Sequence, residues 1–279
     1  MNANLYGQWA KDTVKIRETI LKMIHQINSG HPGGSLSMVE ILYALFNKDG
    51  VMKHDPKHPE KRERDRFVLS KGHGVPALYA ILNHMGYDIT EAELMTLRHL
   101  GSRLQGHPDR ARIPYMEAST GSLGQGLSIA LGYAIANKMD KLPYRVFSLI
   151  GDGEMQEGQI WEAALSAAHH KANNLTCILD YNKGQIDGLV KDVLGVEPVK
   201  GKWESFGWKV HVVDGHNYAE LVPALRDTDP ERPIMIIANT IKGKGVSFME
   251  GKNGWHGKAP NNDELKLALD EVRSKTIGV

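Results

Sequence analysis

Two runs of successive apolar residues, Val146 to Ile150 and Leu175 to Leu179, bracket the loop Gly151-Asp152-Gly153 and a helical stretch near Glu157 to Lys171. A strand, a helical crossover and a second strand can pair only in parallel, because the helix returns the chain to its starting edge. Further strands at Arg66 to Ser70, Lys209 to Val213 and Ile234 to Ala238, with a helix at Tyr218 to Arg226, continue the alternation. Strands that are apolar along their length, rather than on every second residue, belong to a sheet covered by helices on both faces. The expected class is therefore α/β, a parallel sheet flanked by helices. At 279 residues the chain can bury one full-sized core, and a single domain over 1–279 is the favoured count.

The remaining segments read as helices and connections. From Trp9 to Ile27 the residues Val14, Ile16, Ile20, Leu21, Ile24 and Ile27 recur at spacings of three and four, the pattern of an amphipathic helix. Gly30-His31-Pro32-Gly33-Gly34 is expected to be a loop, since glycine and proline both oppose a helix interior. Helices follow at Met38 to Phe46 and Pro76 to His84, with a charged connection over 47–66 and a Gly/Pro/Arg-rich one over 101–114. Leu127 to Asn137 is small and apolar, suited to close helix packing, and Asp263 to Arg273 is a short helical segment.

Charge narrows the partners. Lys and Arg number 34 against 33 Asp and Glu, so nothing draws the chain to nucleic acid or an anionic membrane. The single Cys177 lies in an apolar run and fits a reduced compartment. The amino terminus lacks a signal-peptide layout, and no apolar stretch approaches the roughly 20 residues of a membrane helix. A cytoplasmic protein is expected.

In a parallel sheet, ligands gather outside the carboxyl ends of the strands. Asp152 and Asn182 each follow a strand of one βαβ unit, 30 residues apart, so neighbouring strands should present them side by side. A carboxylate and an amide oxygen are hard donors suited to Mg2+, which usually completes its octahedron with phosphate oxygens and water. Gly151 and Gly153 admit a close ligand at a helix start, where free N–H groups attract an anion. Asp152 alone would repel a diphosphate, and a bridging metal removes that conflict. Gly-Asp-Gly or Asn182 taken alone is better explained as a turn; their pairing at this spacing, with strands before both, favours a site.

That order resembles the fingerprint of thiamine-diphosphate enzymes. Gly30-His31-Pro32-Gly33-Gly34, Asp65 through His73, Gly106-His107-Pro108, Thr120 through Gly126 and Gly151 through Gly158 resemble successive motifs of transketolase, in order, and the likeness runs on to Trp255-His256-Gly257-Lys258. The resemblance implies a thiamine diphosphate and Mg2+ enzyme that moves a two-carbon ketol unit from a ketose to an aldose, with sugars or sugar phosphates as substrates. It implies metal ligands at Asp152, Asn182 and the main-chain carbonyl of Gly184, where a glycine replaces a bulkier residue. Gly153, Gly121, Leu123, His73, Asn182 and His256 would line the cofactor, with Ile186 against its apolar face. Glu157 would meet its counterpart across a subunit interface and tune the aminopyrimidine. His31, His73, His107 and His256 would surround the substrate, His31 and His107 on its hydroxyls, using imidazoles that titrate near neutrality.

The other histidines read differently: His169 and His170 end a helix, and His54 and His58 sit in the charged connection, so all four are expected to be structural or solvated. Lys242 and Lys244 suit either a phosphate or solvent. Nothing in the chain resembles the later portion of transketolase, which supplies the glutamate that activates the pyrimidine. The expected partner is therefore a C-terminal transketolase subunit, two copies of each. The competing readings are the α subunit of a 2-oxoacid dehydrogenase, a non-catalytic regulatory homologue, and a metal-dependent hydrolase built on Asp152 and nearby histidines.

Overall fold

The computed structural model describes residues 3–278. The chain opens with α1 (Ala3–Ile27), α2 (Pro32–Leu36) and α3 (Val39–Phe46), then β1 (Arg66–Leu69), α4 (Val75–His84) and the short α5 (Glu91–Leu94). Next come α6 (Gln125–Asp140), β2 (Val146–Gly151), α7 (Gly158–His169) and β3 (Leu175–Tyr181). A small ribbon, β4 (Gly184–Gln185) and β5 (Gly188–Leu189), leads to α8 (Val190–Val193) and α9 (Val199–Ser205). The chain closes with β6 (Lys209–Asp214), α10 (Tyr218–Arg226), β7 (Ile234–Asn239) and α11 (Asn262–Ser274).

Five strands form one parallel sheet in the order β1-β2-β3-β7-β6. Side chains alternate across a strand, and in β2, β3 and β7 both sets are buried, while the edge strand β6 leaves Val212 half exposed. Phe67, Leu69, Phe147, Leu149, Ile178 and Ile236 point into a core shared with α1, α3, α4 and α10. Val68, Val146, Ile150, Cys177, Leu179 and Ile237 point the other way, into a core shared with α6, α7 and α9. The sheet is thus flanked by helices on both faces, as the apolar strands require. Among the described residues, no helix is long and apolar enough to cross a membrane.

One expectation fails locally. Pro32 to Leu36 is helical, not a loop: Pro32 sits in the first turn, and the His31 carbonyl accepts a hydrogen bond from Ser35 N–H at 3.1 Å. Packing overrides propensity here. A Cβ on Gly33 would stand 2.9 Å from Cγ of Lys242 and 3.0 Å from the Trp255 carbonyl, so glycine is retained for the close approach. This turn brings His31 beside the carboxyl edge of the sheet.

Candidate active site

The strand register sets the site. Gly151 on β2 pairs with Asp180 on β3, so Asp152 and Asn182 follow neighbouring strands at one edge. Both border a cavity of about 290 Å³ whose wall includes Lys71, His73, Leu123, Gly153, Glu157, Gly184, Ile186, Lys242 and His256. Asp152 is 3% exposed. Its carboxylate accepts the Gly153 N–H at 2.8 Å and the Lys183 N–H. Burial, then the charge of Asp180, pushes this carboxyl up to about 6. The Asn182 amide oxygen accepts from Gly184 N–H at 3.1 Å, and its NH2 group donates to Asp180 at 3.2 Å.

Beneath these residues lies a charged floor that sequence reasoning missed. Asp180 is fully buried and accepts from Lys71, Ser37 and Thr240. Burial pushes its carboxyl up, but Lys71, Ser37 and Thr240 together outweigh that and hold it below the ordinary value. Lys71 also donates to the Gly34 carbonyl at 3.0 Å. Glu154, buried as well, accepts from Ser70, from Gly124 N–H at 2.9 Å and from Gly151 N–H at 3.0 Å. One carboxylate therefore ties together three segments of the motif series. A charged residue closing an apolar strand, as Lys71 and Asp180 do, was the available signal.

Lys242 is 2% exposed, so it does not face open solvent. Its ammonium donates to the Gly184 carbonyl at 3.1 Å and to Nδ1 of His256 at 2.9 Å. The His256 proton must then reside on Nε2. Burial, followed by the nearby Lys71 charge, lowers the Lys242 ammonium to about 8.

Three histidines form a triangle. Ring centroids of His31 and His73 are 5.2 Å apart, those of His31 and His256 5.3 Å, and those of His73 and His256 5.4 Å. Desolvation is the main cause of their low basicity, with Arg98 and His107 next for His31 and Lys242 next for His256. His31 is lowered to about 4, His256 to about 3 and His73 well below its usual value. His107 is lowered by burial and Arg98; its ring lies against Gly121, where a Cβ would fall 2.7 Å away. Loss of water, and after it the neighbouring positive charges, lowers all four imidazoles below the near-neutral range expected from their type and favours the uncharged ring.

Two further nominated residues stand at the rim. Glu157 is exposed where α7 begins, and Ile186 is 66% exposed. Of the four histidines set aside, His54 bonds Tyr87 at 2.9 Å and packs against its ring, a structural role, whereas His58 is exposed.

The donor set fits a hard divalent cation: a buried carboxylate, an amide oxygen and the Gly184 carbonyl, which also accepts from Lys242, beside the Lys71 and Lys242 ammonium groups, whose charge suits an anion. Burial and the like charge of Asp180 outweigh the two backbone N–H donors and Lys71 at Asp152, and a bound cation would relieve both.

The fold and site define a cofactor-binding α/β domain of the thiamine-diphosphate type. Residues 10–274 match the family described as transketolase, thiamine diphosphate binding domain, and the chain belongs to the transketolase family. It is 46% identical over 262 residues to SqwG, the 6-deoxy-6-sulfo-D-fructose transketolase subunit of Clostridium sp. (strain MSTE9), covering 93% of this chain and 94% of that protein. It is 42% identical to an apulose-4-phosphate transketolase subunit of Actinobacillus succinogenes, covering 97% and 98%. Human transketolase is 39% identical over 96% of this chain, which spans 42% of that protein. A solved Pichia stipitis transketolase (mutant R525L) superposes with a TM-score of 0.88 at 31% identity, covering 95% of this chain and 40% of the other.

Proposed function

We propose that this chain is the diphosphate- and metal-binding half of a two-subunit transketolase. The observation that carries this reading is one of likeness: the relatives at 46% and 42% identity, matched over 94% and 98% of their own length, are named as transketolase subunits. The partner would be a C-terminal transketolase subunit, two copies of each forming a cytoplasmic assembly around sugar or sugar-phosphate substrates. Residues 1–279 would act as a single domain.

Asp152, Asn182 and the Gly184 carbonyl would hold Mg2+, and Lys242, His73 and the Gly153 backbone would face the diphosphate. Gly121 and Leu123 would line the thiazolium, with Ile186 supplying an apolar contact. When bound, thiamine diphosphate would supply the electron sink that lets a ketol unit leave one sugar and join another. The protein's part is orientation and proton placement. Neutral His256, with its proton on Nε2, donates a hydrogen bond toward a developing alkoxide, and His31, His73 and His107 would hold sugar hydroxyls. Glu157, exposed at the rim, would reach across to a second copy and toward the aminopyrimidine.

Mixing tests the reading. With thiamine diphosphate and Mg2+, the chain alone should transfer no ketol unit, and adding the partner subunit should restore transfer from a ketose phosphate. Full activity of the isolated chain would refute the split site; turnover of pyruvate instead would identify a 2-oxoacid dehydrogenase.

A further inference from the structure

On the far side of the Lys242 loop lies a buried charged group. Arg17 of α1, Glu40 of α3 and His216 of the β6–α10 connection are all under 10% exposed. Arg17 meets Glu40 with Nη1 2.7 Å from Oε1 and Nη2 donating to Oε2 at 2.8 Å. Nδ1 of His216 lies 2.7 Å from the same Oε2, and Nε2 accepts the backbone N–H of Ile241 at 2.9 Å. A backbone N–H can only donate, so the imidazole must carry its single proton on Nδ1 and give it to Glu40.

Both ends of this group grip the same short loop. His216 holds the N–H of Ile241, immediately before Lys242, while Arg17 Nε donates to the Lys244 carbonyl, two residues after it, at 3.2 Å. Between those grips the loop turns through Gly243, with φ of 77°, and just past the second grip through Gly245, with φ of 102°, values open to glycine. None of the three residues lies among those that line the cavity.

We infer that Arg17, Glu40 and His216 form a positioning device that clamps the backbone on either side of Lys242 and so aims its ammonium into the cavity. This rests on the reading that Lys242 faces the diphosphate. Backbone and side-chain freedom are separate costs of ordering; fixing the backbone at both shoulders sets the point from which the Lys242 side chain reaches Gly184 and His256 before any ligand arrives.

Two substitutions at one position separate aiming from simple packing. In His216→Asn the amide nitrogen takes the place of Nδ1 and still serves Glu40, but nothing reaches Ile241. In His216→Gln the amide oxygen takes the place of Nε2 and still accepts from Ile241, while Glu40 loses a donor. Each variant is assembled with the partner subunit, its affinity for Mg2+ and thiamine diphosphate is measured by calorimetry, and its melting temperature is recorded. The expected orders cross: Asn is the more stable, yet binds cofactor at least tenfold more weakly than wild type, while Gln melts lower but binds within about threefold. Affinity that follows melting temperature, or equals wild type in both, overturns the inference and leaves the proposed function intact. If wild type itself binds no cofactor, both fall.

Discussion

The Lys71 ammonium and the Asp180 carboxylate form an ion pair under the cavity floor with side chains 2% and 0% exposed. Removing one member of such a pair strands the other in a medium that solvates it poorly. Lys71→Met should therefore cost about 3–5 kcal/mol, and Lys71→Met combined with Asp180→Leu should recover part of that loss. Urea unfolding of the three proteins measures both; a single variant as stable as wild type refutes the assignment.

Asp152 is the side-chain carboxylate proposed above as a ligand of the cation. Asp152→Ala should abolish cofactor retention in the assembled enzyme, because a hard ligand is lost and the diphosphate is left poorly compensated. Calorimetry with Mg2+ and thiamine diphosphate reads this directly, and unchanged affinity removes Asp152 from the site.

His31, lowered to about 4 mainly by burial, should stay neutral through the physiological range. An unfolded histidine binds its proton near 6.5. Protons therefore favour the unfolded chain between those values, and the stability His31 contributes is full above about 6.5 and lost as pH falls toward 4. Nitrogen-15 NMR of the imidazole from pH 8 to 5 should show no titration; a midpoint above 6 contradicts the crowding argument.

Glu40 has the opposite sign. Burial pushes its carboxyl up, but Arg17 and then His216 outweigh it and hold it at about 2. Its contribution is present above the unfolded value of 4.5 and lost as pH falls through about 2. Glu40→Gln should lower stability at pH 7 and flatten the acid limb between pH 5 and 2, followed by thermal melts across that range.

At Gly184, an added Cβ would stand 2.5 Å from Oδ1 of Asn253, an atom without a hydrogen-bond partner, and 3.2 Å from Cδ of Lys242. Gly184→Ala should cost about 1–3 kcal/mol through overpacking and weaken cofactor binding by shifting Lys242. Wild-type affinity in this variant indicates that Asn253 yields without moving the lysine.

Much of this arrangement was legible in the residues. The runs at Val146 and Leu175 declared parallel strands, and their spacing put Asp152 and Asn182 at one edge, because strand order and side-chain period are properties of local sequence. What escaped was whatever depends on the third dimension. The helix at Pro32 forms because Gly33 lets Lys242 and Trp255 come close. Lys242 took its meaning from burial, and Asp180 and Glu154 from partners 109 and 84 residues distant, Lys71 and Ser70. The histidines were located by their motifs, whereas their charge state follows from neighbours no motif encodes.

Gln156, just after the Gly151-Asp152-Gly153 turn, donates through its side-chain amide to Oε1 of Gln185 at 2.7 Å and to the Leu194 carbonyl at 2.8 Å. That strut fastens the turn beyond β2 to the β4–β5 ribbon. Breathing of either element would drag the other with it, so the gap between a carboxylate on one and a carbonyl on the other keeps its width as the surface flexes.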